Sequence, residues 1–594
     1  MNRTGKIVAG LALALVATSC VHLISRGLGV PLQEKGRARV QRNLMAPMRD
    51  GVRLAIDLYF PPGPGPFPVV LTRLPYGTDN LMFKELGRFM ARQGYLFAAQ
   101  DTRGTFNSEG VYFPLIFESD DGHDTIAWIL QQPWCNGKVG MWGGSYFGYT
   151  QWESAPDNPA LAAMTPLYAS GSMFKVLYRG GAQEYASWTG WNAQMEQQQA
   201  ERAGRHTQVK VDFSQGYSNE PRREAEPVDM AAVMKDPARL ARGVEPWLHH
   251  PGDIVNAPCL NFDRYYSHTS APAFMVAGWY DLFLSAQLED FVRLRAEGRG
   301  DAKKSRLLIG PWTHGLPSSK YEDSRLTGPR LYGQGFIGWF NYWLKGEHND
   351  AVSAAPLKIF VMGENQWRDE WEWPLKRTVF TEYYLHSAGQ ANSSAGDGAL
   401  STEKPAAEPE DRFDYDPKNP VPTAGGSFLG QKELKAGAKD QRAIEKRQDV
   451  LLYVTPRLLQ PVEVTGPIQL TLYAASSAQD TDWTAKLVDI SPNGKVQNLQ
   501  DGIVRARYRD GYEKPSLLEP GRIYQYTLDL WAFSNVFLPG HRIGLEISSS
   551  NFPQFDRNTN AGGEGGPGNV VVAHQTIYHR ADYPSHLTLP VIPR

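Results

Sequence analysis

Residues 139–148 read Val139-Gly140-Met141-Trp142-Gly143-Gly144-Ser145-Tyr146-Phe147-Gly148. A short apolar run meets a knot of glycines with one serine at its centre, and a helical run (YTQWESA) follows. Glycine permits backbone turns that other residues resist. A serine just ahead of a helix also sits beside free N–H groups and a dipole that favour negative charge. Two readings stand side by side: a tight turn without chemical consequence, or a nucleophile raised at the end of a strand.

The surrounding pattern decides between them. Arg49-Asp50-Gly51 is a hairpin signal between two alternating runs, Phe67 to Leu71 and Tyr95 to Ala99 read as buried strands, and Leu81 to Gln93 has helical spacing. Asp124 to Gln131 puts Ile126, Ile129 and Leu130 on one helical face, and Ala273–Gly278 and Leu307–Gly310 are further short strands. Strands alternating with helices predict an α/β fold with a mostly parallel sheet covered on both faces. The alternation is interrupted by a segment rich in Gln, Glu, Arg and Ala, which reads as an inserted helical cap. Residues 387–448 read as a wrapping linker, and from Asp449 the texture is all-β, with Asn493-Gly494 as a hairpin turn. A C-terminal jelly roll is the expected closure. The expected division is residues 37–170 and 264–375 for the α/β core, 171–263 for the cap and 376–594 for the jelly-roll domain.

A chain of 594 residues with 61 basic and 63 acidic side chains has no global field to attract nucleic acid. Residues 1–20 carry Arg3 and Lys6, then an apolar run from Ile7 to Val16, then small residues up to Cys20. That is the layout of an export signal. Ala17-Thr18-Ser19-Cys20 fits lipidation of Cys20 and also plain cleavage near Ser19, so the expected place is the periplasm or a membrane-anchored lipoprotein, alternatively secretion. Cys135 and Cys259 are expected as buried free thiols. No CxxC, HExxH or cluster with metal-ligand spacing occurs, so neither metal nor cofactor is called for. Gly333-Gln334-Gly335-Phe336-Ile337-Gly338 satisfies GxGxxG but follows no strand. It reads as the glycine-rich start of the helix WFNYWLKGE. Asp101 and Arg103 are expected to pair within their loop.

A serine is a weak nucleophile and needs a base, which in turn needs orienting. Asp281 follows the strand AFMVAG and His314 follows the strand LLIG, so the order is Ser, Asp, His at successive strand ends. Each has a bland explanation alone, a helix N-cap for Asp281 and a turn histidine for His314. Their joint order favours catalysis.

The chain resembles the cocaine-esterase-type serine hydrolases, kin of the X-prolyl dipeptidyl aminopeptidases, α-amino acid ester hydrolases and glutaryl cephalosporin acylases. The resemblance rests on MRDGVRLAIDLY, Asp101-Thr102-Arg103-Gly104, Gln132-Pro133-Trp134-Cys135-Asn136-Gly137-Lys138, GGSYFGYTQW, GWYD, GPWTH and SSNFPQFDRNTN. It implies an α/β-hydrolase core, Ser145 as nucleophile, His314 as base and Asp281 as its orienter. It also implies an oxyanion hole made by the Tyr76 hydroxyl and the Tyr146 backbone N–H, with a departure at Gly77, where the esterase carries an acidic residue.

Relatives that act on α-amino acid esters carry carboxylates just after the catalytic aspartate and a Glu in the serine motif. Here stand Leu282-Phe283-Leu284 and Phe147. A buried ammonium without a counter-charge is costly, so α-amino substrates are disfavoured. Phe283 matches an acyl-pocket aromatic of the esterases, and Trp188 and Trp191 in the cap are candidates for more apolar wall. The expected substrate is a small-molecule ester with an apolar or aryl acyl group, with an amide or peptide as the alternative. A non-catalytic carbohydrate-binding protein would be expected to have a damaged triad, and none is visible. Oligomeric state is not legible.

Overall fold

The computed structural model describes residues 20–204, 216, 259–315, 322–432, 434–563 and 569–594, with side chains of 322–326 excepted. Residues 1–19 of the expected leader (1–20) and most of the expected cap, 205–215 and 217–258, lie outside these residues. Among the described residues no helix is long and apolar enough to cross a membrane.

Helical backbone over residues 20–28 (α1) precedes the first sheet. That sheet is built from β1 (Arg39–Pro47), β2 (Arg53–Phe60), β3 (Phe67–Leu74), β4 (Leu96–Asp101), β5 (Cys135–Gly144) and β6 (Leu161–Leu167). Between them lie α2 (Leu81–Arg92), α3 (Glu118–Leu130) and α4 (Tyr146–Ser154). After β6 come α5 (Met173–Leu177), a small hairpin of β7 (Tyr178–Arg179) and β8 (Ala182–Gln183), and α6 (Tyr185–Arg202). The sheet resumes with β9 (Phe274–Gly278), α7 (Leu284–Glu297), β10 (Arg306–Gly310), α8 (Glu322–Lys345), β11 (Leu357–Val361) and β12 (Gln366–Glu370). The strand order is β1-β2-β4-β3-β5-β6-β9-β10-β11-β12. From β4 through β11 every neighbouring pair is parallel, and β1, β2 and β12 add antiparallel edges. The parallel strands β3, β4, β9 and β10 are largely buried on both faces, as their mainly apolar sequences require.

A second sheet holds the C-terminal half. It comprises β13 (Val379–His386), β14 (Ala399–Ser401), β15 (Asp411–Tyr415), β16 (Leu451–Val454), β17 (Val462–Ser476) and β18 (Asp482–Ile490). It continues with β19 (Val496–Arg505), β20 (Tyr524–Phe537), β21 (Arg542–Ser548), β22 (Ala573–Arg580), β23 (Tyr583–Pro584) and β24 (His586–Ile592). It is antiparallel except for a single β14–β16 bridge pair, and its apolar side chains join those of the first sheet in one continuous core.

Four local expectations change. The cap segment is not wholly helical: Gly180 and Gly181, both at positive φ, turn the β7–β8 hairpin, and that Gly-Gly signal outweighs the helical composition around it. The GxGxxG run lies inside α8 rather than at its start. A Cβ on Gly333 would come within 2.6 Å of Leu28 and one on Gly335 within 2.5 Å of Phe274, so these glycines let α8 approach α1 and β9 closely. Arg103 pairs not with Asp101 but with Asp50 and Asp121, each at 2.6 Å. Asp101 instead accepts the backbone N–H groups of Thr78 and Asn107. Cys135 and Cys259 are unbonded, as expected, but half-buried.

Candidate active site

The β5–α4 turn sets Ser145 at φ 54° and ψ −127°, a conformation that side-chain-bearing residues avoid. The glycines make room for it. Gly143 has φ 151°, where a Cβ would strike the Phe147 ring at 2.1 Å, and a Cβ on Gly148 would lie 2.4 Å from that of Ala169. The carbonyl of Ser145 starts α4 by accepting the N–H groups of Gly148 and Tyr149, both at 2.9 Å. Tyr146 is the first residue of that helix, so its N–H has no intrahelical acceptor by position.

The loops after β9 and β10 are zipped together. Trp279 N–H donates to Gly310 O at 2.8 Å and Tyr280 N–H to Trp312 O at 2.9 Å. A Cβ on Gly278 would meet Trp312 O at 2.3 Å, so this close approach needs glycine. The zip brings Asp281 beside His314, with Oδ2 2.7 Å from Nδ1, although the two are 33 residues apart in sequence. Asp281 is 0% exposed, and its other oxygen accepts Phe283 N–H at 2.9 Å. It therefore performs the local turn-capping duty and the partnership with histidine at once. The His314 ring is held by Phe283, stacked at 5.5 Å, and by Tyr168, edge-on at 5.9 Å.

Ser145, His314, Tyr76, Tyr146, Phe283, Trp188 and Trp191 all line one narrow cavity of about 60 Å³. The structure thus brings together every residue the sequence nominated for the site, with Asp281 just behind its wall. Tyr76 is half-buried, and its inward hydroxyl interacts with the Ser145 side chain and with Trp191, whose Nε1–H donates to it at 3.0 Å. Burial pushes the Tyr76 phenol up to about 12, so it stays a neutral donor. With a lone pair taken by Trp191, its own proton is free for an oxygen at Ser145. Gly77, next in the chain, has φ 85° with the Phe106 ring 2.7 Å from its missing Cβ, which accounts for glycine there. Gln198 on α6 donates to Pro75 O at 2.5 Å, tying the cap helix to this loop.

The Tyr146 side chain points away from catalysis. Its hydroxyl donates to Glu118 at 2.8 Å and accepts Leu115 N–H at 2.9 Å, while Arg73 lies 3.1 Å from the same buried Glu118. Burial raises the Glu118 carboxyl and Arg73 pulls it back down. Phe147 packs edge-on to Tyr76 and Phe83 and against Trp142, an apolar filling where a carboxylate would find no counter-charge among these rings.

Several lining residues escaped the sequence reading: Glu184 and Ser187 from the cap and Leu429 from the C-terminal half. Nothing in local spacing marks them. The second sheet also braces the aspartate loop. Gln500 Nε2 on β19 donates to Trp279 O at 2.5 Å and Tyr280 Oη donates to Asn498 O at 3.2 Å.

Removing the Tyr76 hydroxyl should cost one of the proposed oxyanion donors. Tyr76→Phe is expected to lower kcat on an activated ester about 10²–10³-fold with KM little changed. A drop under threefold in steady-state assays would remove Tyr76 from the chemistry.

Comparison with known proteins agrees with this geometry. Residues 50–316 match the X-Pro dipeptidyl-peptidase (S15 family) and residues 349–588 match the X-Pro dipeptidyl-peptidase C-terminal non-catalytic domain. Among solved structures, an α-amino acid ester hydrolase superposes with TM-score 0.75 at 25% identity, covering 95% of this chain and 98% of its own. An aminopeptidase from a marine sediment Thaumarchaeota archaeon does so with the same TM-score and identity, covering 95% and 99%. The cocaine esterase of Rhodococcus sp. (strain MB1 Bresler) is 38% identical over 601 residues, spanning 94% of this chain and 100% of that one. Identity at that level over 94% of this chain and all of the relative, with both domain matches, places the chain in the cocaine-esterase family of serine hydrolases.

Proposed function

We propose that the chain hydrolyses carboxylic esters with apolar or aryl acyl groups through an acyl-enzyme on Ser145. The observation that carries this reading is the single apolar cavity shared by Ser145 in its strained turn and His314 backed by Asp281. In this mechanism His314 Nε2 takes the Ser145 proton as Oγ attacks the ester carbonyl. Asp281, on Nδ1, holds the required tautomer and steadies the imidazolium. The tetrahedral oxyanion receives the Tyr76 O–H and the Tyr146 N–H. His314 then returns the proton to the departing alkoxide, and water repeats the sequence to release the acid. Phe283, Trp188 and Trp191 supply wall for the acyl group.

Amide cleavage is the second reading, favoured by the likeness to the archaeal aminopeptidase and served by the same groups. The leader-like residues 1–20 support an exported enzyme, held at a membrane if Cys20 is lipidated.

The test is intact-mass spectrometry after treatment with a small fluorophosphonate, beside Ser145→Ala, followed by assays of p-nitrophenyl esters against X-Pro amides. One adduct on the parent protein, absent from the variant, with faster ester turnover is the expected result. No adduct on folded protein overturns the triad, and faster amide turnover replaces the ester reading with the second one.

A further inference from the structure

Among the described residues lining the cavity, one carries a carboxyl group: Glu184. It stands where β8 meets α6, with its N–H on Leu177 O at 2.9 Å and its carbonyl accepting Trp188 N–H at 3.1 Å. The residue is 1% exposed. A carboxylate in such a place needs a counter-charge, and the nearest cation is Arg179. That guanidinium is shared. Its Nη2 serves Asp501, at 2.6 Å from the carbonyl and 3.0 Å from Oδ1, while Nη1 lies 3.2 Å from Glu184 Oε1. Nη1 is divided again, because the Gln554 amide oxygen sits 2.9 Å from it once the amide is turned to donate to Asp501. Asp529, at an exposed position of β20, also interacts with the same cation.

One guanidinium thus faces the carboxyl groups of Glu184, Asp501 and Asp529. The other Glu184 oxygen has Ser187 Oγ at 3.3 Å. Arg179 is further occupied by its position 3.7 Å above the Trp531 ring. Glu184 is the member of this cluster that borders the cavity.

We propose that Glu184 is a specificity-determining residue whose carboxylate receives an ammonium group carried by the substrate portion that fills the cavity. This inference rests on the cavity being the ester-hydrolysing site. It revises the sequence argument against amine-bearing substrates, which looked for carboxylates only after Asp281 and inside the serine motif. The counter-charge comes instead from the cap. Without such a substrate, a proton does the same neutralising work: burial pushes the Glu184 carboxyl up to about 7, with Arg179 opposing and Asp501 adding to the rise. The groups facing it are Arg179, Asp501, Gln554 and Ser187, with His314 elsewhere on the cavity wall.

The test compares p-nitrophenyl 4-(aminomethyl)benzoate with p-nitrophenyl 4-ethylbenzoate, which differ by an ammonium against a methyl. The readout is the ratio of their kcat/KM values, in which any titration of His314 and any general loss of catalytic power cancel. In the parent enzyme the ratio should rise as pH increases through about 7, because Glu184 becomes ionised. In Glu184→Gln it should fall roughly 10–100-fold at pH 8, mainly through KM of the ammonium ester, and become flat with pH. A merely structural role would lower both substrates together and leave the ratio in place. That result, or a flat ratio in the parent enzyme, overturns the proposal. Should Glu184→Gln fail to fold, the pH dependence of the parent ratio decides alone. Failure of the ester reading looks different, since neither ester would then turn over.

Discussion

Ser145→Gly is expected to yield a protein that is catalytically silent and slightly more stable than its parent. The loss should be on the order of 10⁵-fold or more in kcat, as the covalent route disappears and leaves only what binding and the oxyanion donors supply. The stability change runs the other way. With φ 54° and ψ −127°, Ser145 occupies the mirror image of an extended conformation, at a cost of about 1–3 kcal/mol for a residue with a side chain. Glycine accepts that conformation freely, at the expense of a looser unfolded chain worth about 0.4–1 kcal/mol. The net expectation is a gain of about 1 kcal/mol, read as a small upward shift of the thermal midpoint at fixed scan rate. Ser145→Ala, which keeps the strain, should be as inactive without that gain. Residual activity within tenfold of the parent would sink the nucleophile assignment, and a lower midpoint for the glycine variant would show that the turn is not strained.

Asp281→Asn should cost about 10⁴-fold in kcat, by analogy with the same exchange in a serine protease. The geometry says why. Asp281 Oδ1 accepts Phe283 N–H and Oδ2 meets His314 Nδ1, so an asparagine keeps the first contact with its oxygen and must turn its amino group to the imidazole. The ring is then fixed with its proton on Nε2, the nitrogen that has to accept the Ser145 proton. KM should move little, because the substituted side chain lies behind the cavity wall. A loss under tenfold, measured with an activated ester, would mean that Asp281 only caps its turn.

Much of this site is legible in the sequence because its parts sit at strand ends. A parallel strand buried on both faces reads as an apolar run, as β9, residues 307–310 of β10 and residues 139–142 of β5 do, and the glycine or loop that follows marks where chemistry can be presented. What escaped depends on partners far away in sequence. Arg103 finds Asp50 rather than its neighbour Asp101. The glycines of α8 answer to Leu28 and Phe274, not to a phosphate or to the helix's own start. Glu184 has no spacing signature, since its meaning comes from Arg179, Asp501 and Gln554, gathered from the cap, from β19 and from the loop after β21. Local pattern reports which face a residue shows, and a tertiary charge balance leaves no trace in it.

The bracing of the aspartate loop by β19 has a consequence for how the enzyme comes into being. Tyr280 and Trp279 wait for partners 218 and 221 residues further along the chain. At about 5–20 residues per second, roughly 10–40 s of synthesis separate the loop from the strand that steadies it. Throughout that interval the serine and histidine already exist on a chain that lacks their final support. The aspartate loop of the newborn polypeptide therefore gains its two β19 braces only once residues 498 and 500 have been made.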